Sequence, residues 1–203
     1  MKPIRRLAVL LAASLVSAAL AEAPIRAYRD INFGDSAEVV VQKVFEDPSI
    51  AVPTGSYATD SRKLELTRQL VNMGAVFVNI GGTRCNLEFE FNDDKLYRIR
   101  FNGEGGNFIA LELDTWYRDN LVEVITRAHG QPTAVAAPIT LSDLRQMRED
   151  SVVWTHEWRT NSEGVAYKIG FVKTTNRYYS TLWVEWSWMV DYIDSSQDDA
   201  EDF

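Results

Sequence analysis

A single cysteine, Cys85, stands in 203 residues, so no disulfide can form within the chain. Small secreted eukaryotic domains usually lean on paired cysteines, so if this chain is exported, its compartment reads as bacterial. There are only two histidines, His129 and His156. His156-Glu157 is not a zinc-helix motif, because Thr160 stands where the second histidine is required. Gly-x-Ser-x-Gly, a Walker loop, Cys-x-x-Cys and a calcium loop of spaced acids are all absent. The sequence therefore predicts no catalytic residue, no metal ligand and no cofactor. Bases are outnumbered, with 21 Lys and Arg against 29 Asp and Glu and no basic cluster. That balance excludes nucleic acid and an anionic membrane surface as partners. No apolar run reaches the roughly 20 residues that a membrane-spanning helix needs.

What is present begins at the N-terminus. Lys2, Arg5 and Arg6 precede an uncharged apolar run from Leu7 to Leu20, and Ala19-Leu20-Ala21 and Ala21-Glu22-Ala23 are small-x-small sites. This is the layout of a secretory signal peptide over residues 1–21, with cleavage after Ala21 or Ala23. No cysteine follows the run, so a lipid-anchored mature terminus is not expected. Cleavage after Ala21 removes three bases and leaves 18 against 29 acids, a net charge near −11. Periplasmic or secreted localisation follows, with no transmembrane segment in the mature chain.

Periodicity places the elements. Pro24 to Asn32 reads as an extended lead-in. Asp35-Ser36-Ala37-Glu38 has the form of a capping box, and Ala37, Val40, Val41 and Val44 follow at helical spacing up to Pro48. Leu64, Leu66 and Leu70, in the stretch from Asp60 to Asn72, fit neither period. From Ala75 the period is two: Val76, Val78 and Ile80, then Cys85, Leu87, Phe89 and Phe91, then Tyr97, Ile99 and Phe101. This predicts a β-meander with one apolar face and a buried Cys85. Pairing of Glu90 with Arg98 and Glu88 with Arg100 sets a register in which Phe91 faces Tyr97 across the loop Asp93-Asp94-Lys95. A helix capped by Asp114 or Thr115 follows, with Tyr117, Leu121, Val124, Ile125 and Ala128 as its stripe and Gly130 at its end. Thr140 to Met147 reads as a short helix. Three strands close the chain: Val152 to Arg159, with Trp154, His156 and Trp158 on one face; Val165 to Phe171; and Tyr178 to Val190, with Leu182, Val184, Trp186 and Trp188 inward. Asp191 to Phe203 holds six acids and no base, and reads as a disordered tail.

The predicted class is α+β with two similar halves, residues 24–107 and 108–190. In each half, helices pack on one face of a three- or four-stranded antiparallel sheet. An offset of 84 residues lays Val40, Val41 and Val44 on Val124, Ile125 and Ala128, and Pro48 on Pro132. The patterns Ile31-Asn32-Phe33-Gly34-Asp35-Ser36-Ala37-Glu38-Val39, Arg127-Ala128-His129-Gly130-Gln131-Pro132 and Asn92-Asp93-Asp94-Lys95-Leu96-Tyr97 resemble the repeats of the β-lactamase-inhibitor-protein-like fold. That fold includes the small outer-membrane-assembly lipoproteins of the SmpA/OmlA type. The resemblance implies protein binding through an open sheet face and no catalysis.

By strand parity Trp183, Glu185 and Met189 face away from the core row, which marks Trp183 as a contact anchor. His156, flanked by Trp154 and Trp158, joins them as a candidate binding residue. Glu88 and Glu90, two apart on one strand and so about 7 Å apart, could form a carboxylate pair for glycoside cleavage, but Arg98 and Arg100 opposite them argue for paired surface charges. The function expected is an exported, soluble, non-enzymatic binding protein of the cell envelope, contacting a protein or envelope component. The alternatives are an envelope hydrolase with an unrecognised site and a purely structural envelope module.

Overall fold

The computed structural model describes residues 24–53, 59–103, 111–160, 164–175 and 177–193. The predicted leader, residues 1–21, lies outside the described residues, as do residues 194–203 of the predicted disordered tail; the first three residues of that tail, 191–193, are helical. The chain runs β1 (Arg26–Tyr28), β2 (Ile31–Asn32), α1 (Ala37–Glu46), α2 (Asp60–Asn72), β3 (Val76–Ile80), β4 (Thr83–Asn92), β5 (Lys95–Gly103), α3 (Leu111–His129), β6 (Ala134–Val135), α4 (Leu141–Gln146), β7 (Val152–Thr160), β8 (Val165–Lys173) and β9 (Tyr178–Trp186). A fifth helix, α5, covers 187–193. The class is α+β. β1 and β2 form a small two-stranded sheet, and the other strands form one seven-stranded sheet in the order β3-β4-β5-β9-β8-β7-β6. All pairings are antiparallel. The two predicted sheets are thus one, joined where β5 pairs with β9. Among the described residues no helix is long and apolar enough to cross a membrane.

Helices α1 to α4 pack on one face of this sheet. Val40, Val41 and Val44 of α1 and Val71 of α2 meet Val76, Val78, Cys85, Leu87, Ile99 and Phe101, while Leu121 and Ile125 of α3 meet Trp158, Ile169, Leu182 and Val184. Each such side chain contributes about 1.5–3 kcal/mol on burial. Leu144 and Met147, at the end of α4, cover Phe171 and Tyr178 in a second cluster.

Caps and turns follow their residues. Ser36 caps α1, its hydroxyl accepting from Val39 N–H, and the Asp94 carboxylate accepts from Ala37 N–H at 3.0 Å. An acid at a helix N-terminus is favourable, so the β4–β5 turn is tied to α1. Thr140 and Asp143 form a reciprocal capping box on α4. The Asp60–Asn72 stretch is helical, capped by Thr59. Its buried stripe runs through Thr67, whose hydroxyl bonds back to the Lys63 carbonyl. A polar residue in the middle of the apolar face hid the helical period.

Four local expectations are corrected. The β4–β5 register holds from Glu88↔Arg100 to Glu90↔Arg98, but a bulge then sets Phe91 opposite Leu96. Leu96 takes the core position expected of Tyr97, and the turn is Asp93-Asp94 alone, both at positive φ, as a two-residue hairpin demands. A second bulge, at Thr155, pairs Trp154 with Gly170 and His156 with Ile169, so Trp154 faces away from His156 and Trp158. Asp114 and Thr115 lie within α3 rather than at its cap, and Val124 and Ala128 are exposed. Finally, β9 ends at Trp186 because β8 begins there, at Val165, and β5 pairs no further than Glu185. The chain turns into α5, which leaves Trp188 51% exposed instead of in the core.

The Thr155 bulge requires Gly170. A Cβ at Gly170 would lie 2.4 Å from the Val153 carbonyl oxygen and 2.9 Å from the Trp154 ring. Gly170→Ala should cost about 1–3 kcal/mol, the range for overpacking, measured by urea unfolding. A change under about 0.5 kcal/mol would show that the bulge relaxes freely.

Candidate functional site

The face of the sheet opposite the helices carries a lattice of charges and aromatic rings. Strand alternation places Glu88 and Glu90 of β4, Arg98 and Arg100 of β5, Trp183 and Glu185 of β9 and Lys168 of β8 side by side. At its centre Glu185 is 2% exposed. Arg98 Nε donates to its Oε1 at 2.7 Å, and Lys168 Nζ lies 2.8 Å from its Oε2. Arg98 Nη1 also donates to Glu90 at 2.8 Å, and Arg100 reaches Glu90 as well. Burial opposes the charge on Arg98, but the carboxylates of Glu185 and Glu90 outweigh it and raise its pKa further. The Tyr97 hydroxyl donates to Glu90 at 2.8 Å. Burial, reinforced by that bond, pushes its pKa up to about 12.

Trp183 is wedged into this lattice. The guanidinium carbons of Arg98 and Arg100 lie 4.5 and 4.2 Å from its ring centroid. Trp154 meets it edge to face at 4.7 Å, and its indole N–H donates to Thr181 Oγ1 at 3.0 Å. Cation–π pairs of this kind contribute about 0.5–2 kcal/mol as they are desolvated. Trp183 faces out of the core, as strand parity predicts, but it is half-buried and held on several sides.

Beside it lies a cavity of about 250 Å³, lined by Glu88, Arg100, Asn102, Asp150, Tyr179 and Trp183 together with Val152 and Val172. This is below the roughly 300–1,000 Å³ of small-molecule sites. Donors (Arg100, Asn102), acceptors (Glu88, Asp150) and two rings converge on it. Burial raises the pKa of Glu88, against the lowering effect of Arg100 and of the Asn102 amide, which donates to its Oε1 at 2.9 Å. The α2–β3 turn contributes to that burial, since a Cβ at Gly74 would lie 2.6 Å from Glu88 Cγ. Arg100 stands 4.0 Å from Glu88, and so holds its ionised form less firmly than the predicted pairing implies. Tyr179 is raised too, by burial and then by the Glu88 charge.

The four candidate residues do not form one site. Trp183 and Glu185 share the outer face, but Glu185 is sealed beneath its ion partners. His156 lies on the helical face, opposite Ile169, stacked on Trp158 at 5.8 Å with Nδ1 3.0 Å from Thr155 Oγ1. The bulge at Thr155 puts it there. Met189 belongs to α5, not to β9. It is 5% exposed, its sulfur accepting from the Asn92 amide at 3.7 Å. Trp154, Tyr179, Asn102 and Asp150 escaped the sequence reading. The bulge concealed Trp154, whereas Tyr179 and Asn102 share the strand parity of Trp183 and Arg100. No family model, curated protein or solved structure matches this chain.

Removing one partner of a buried ion pair costs about 3–5 kcal/mol. Arg98→Met should therefore lose stability in that range, with Arg98→Met combined with Glu185→Leu losing clearly less than the sum of the two single changes. Guanidinium unfolding of all four cycle members measures this, and additivity would deny that the lattice acts as a unit. Glu88 carries a pH signature. Its raised pKa means that its contribution to stability is fully present below the unfolded carboxyl pKa and is lost as pH rises through the folded one. Glu88→Gln should accordingly gain stability relative to the parent on going from pH 4 to pH 7; an equal difference at both pH values would count against a desolvated carboxylate.

Proposed function

We propose that this chain is an exported, soluble, non-enzymatic binding protein of the cell envelope, and that it contacts a protein or envelope component through the outer sheet face. The observation that carries the reading is the concentration of rings and paired charges around the small cavity beside Trp183, on the face where α1 to α4 do not pack. Aromatic and arginine side chains are the groups that dominate binding energy at interfaces. The apolar residues of the core do not require them there. Export rests on the leader at residues 1–21, and release without a lipid anchor on the lack of a cysteine after it.

The finer architecture belongs to the same proposal. The order α1-α2-β3-β4-β5 is followed by α3-β6-α4-β7-β8-β9, the same but for the two-residue β6, and the last strands of the two meanders, β5 and β9, lie side by side antiparallel. A tandem duplication would produce that order and a seam on a pseudo-twofold axis. A second reading, an envelope hydrolase, is favoured only by the desolvated Glu88 next to Asp150 in one cavity. Turnover of an envelope polymer abolished by Glu88→Gln would replace the binding reading.

A photo-crosslinking side chain tests the surface. Placed at Val172 in the cavity rim, p-benzoylphenylalanine should give discrete adducts in envelope extract. The same group at Met73, 75% exposed on the helical side, should give none of them. Identical adducts from both positions, or none from Val172, would remove the outer face as the contact.

A further inference from the structure

On the helical side, between β1, α3 and the turn after β3, runs a groove of about 800 Å³. Val124 and Ile125 of α3, Ile80 and Tyr167 form its apolar walls, over a base of Phe101, Leu182 and Val184, each 3% exposed or less. Val124 is 42% exposed there, an apolar side chain left open beside a buried stripe. The size falls within that of small-molecule sites, which are mostly apolar with a few polar groups at set places. Those groups are of one sign or neutral. Arg26, Arg29 and His129 stand at the rim with Asn79, and among the described residues no carboxylate lines the groove. Arg29 is shared, donating to the Tyr28 hydroxyl at 3.0 Å with Asp47 3.7 Å away. Arg26, exposed at the start of β1, has no ion pair among the described residues. In a chain of net charge −8, a basic rim over an apolar floor is a local reversal of the overall field.

We propose that this groove binds one long-chain carboxylate, its alkyl chain between Ile80, Val124 and Tyr167 and its head group at Arg26. An apolar floor alone would accept any alkyl chain, and the rim selects an anionic one. β1 and β3 each bring a strand edge to the groove, so a protein segment is the competing occupant; what favours the carboxylate is an apolar interior beside a guanidinium with no ion pair among the described residues. The site is on the opposite face of the sheet from the outer surface, so either assignment can fail without the other.

Isothermal titration of the purified protein with decanoate, dodecanoate and tetradecanoate, each below its micelle concentration, tests the assignment. One site per chain is expected, with Kd falling about fourfold per added methylene. Dodecyltrimethylammonium should bind at least tenfold more weakly than dodecanoate. Arg26→Glu and Val124→Asp should each raise the dodecanoate Kd at least tenfold with circular dichroism unchanged. Met73→Lys, at a position 75% exposed and outside the groove lining, should leave it as it was. Affinity independent of chain length, equal binding of the cationic amphiphile, or an unaltered Kd in folded Arg26→Glu would overturn the proposal. So would a concentration-dependent dimer that excludes dodecanoate, because the groove would then belong to a second copy.

Discussion

Everything in this molecule depends on how β5 and β9 hold together. Each three-stranded meander is local and closes on itself, but the sheet becomes one body only at this seam. On the helical side the seam is apolar, with Ile99 facing Val184 and Phe101 facing Leu182. On the other side it is ionic, with Arg98 on Glu185 and Arg100 under Trp183. The apolar half is non-directional and would tolerate a slip along the strand. The ionic half would not, because a slip of one residue turns Glu185 and the arginines into the core and Val184 and Ile99 out of it. Burial supplies the stability and the charge lattice selects the register.

That division of labour explains how much was legible. The apolar alternation of β3, β4, β5 and β8 and the charges of Glu88, Glu90, Arg98 and Arg100 were enough to read a meander and most of its register. The strand partners across the seam were not, since no local pattern says which edge of one meander meets the other. The misreadings share a cause: each sits where one residue breaks a period. The bulge at Tyr97 exchanges it for Leu96, the bulge at Thr155 turns Trp154 over, and Thr67 interrupts the stripe of α2. A bulge is stabilised by its neighbours in space — Gly170 beneath Trp154, for instance — and those neighbours are distant in sequence.

The end of β9 is instructive for the candidate site. Alternation in the sequence continues past Trp186 to Val190, so parity assigned Trp188 to the core and Met189 to the surface. The backbone stops pairing when its neighbours run out, not when its own pattern does. Once the chain turns into α5, the periodicity in force is 3.6, and the two assignments exchange. Trp183 and Glu185 kept their predicted side because both of their neighbours are still paired at those positions. Parity arguments hold inside a sheet and fail at its margins.

The two faces also differ in how readily they can respond. The outer lattice is cross-linked by ion pairs over β4, β5, β9 and β8, so under the binding proposal a partner would meet a surface already ordered and little ordering entropy would be lost. The groove on the other face is walled by β1, three residues long and paired only with the two residues of β2. An isolated two-stranded hairpin is marginal in water. This one is fastened by the Phe33 N–H to Ile25 carbonyl bond at 2.9 Å and by Tyr28 set edge-on to Phe101 at 5.0 Å. Opening it breaks few bonds, whereas opening the seam breaks the fold, so the free energy of local opening falls at the hairpin end of the range. Entry to the groove thus lies on the side of its weakest wall, the wall that carries Arg26.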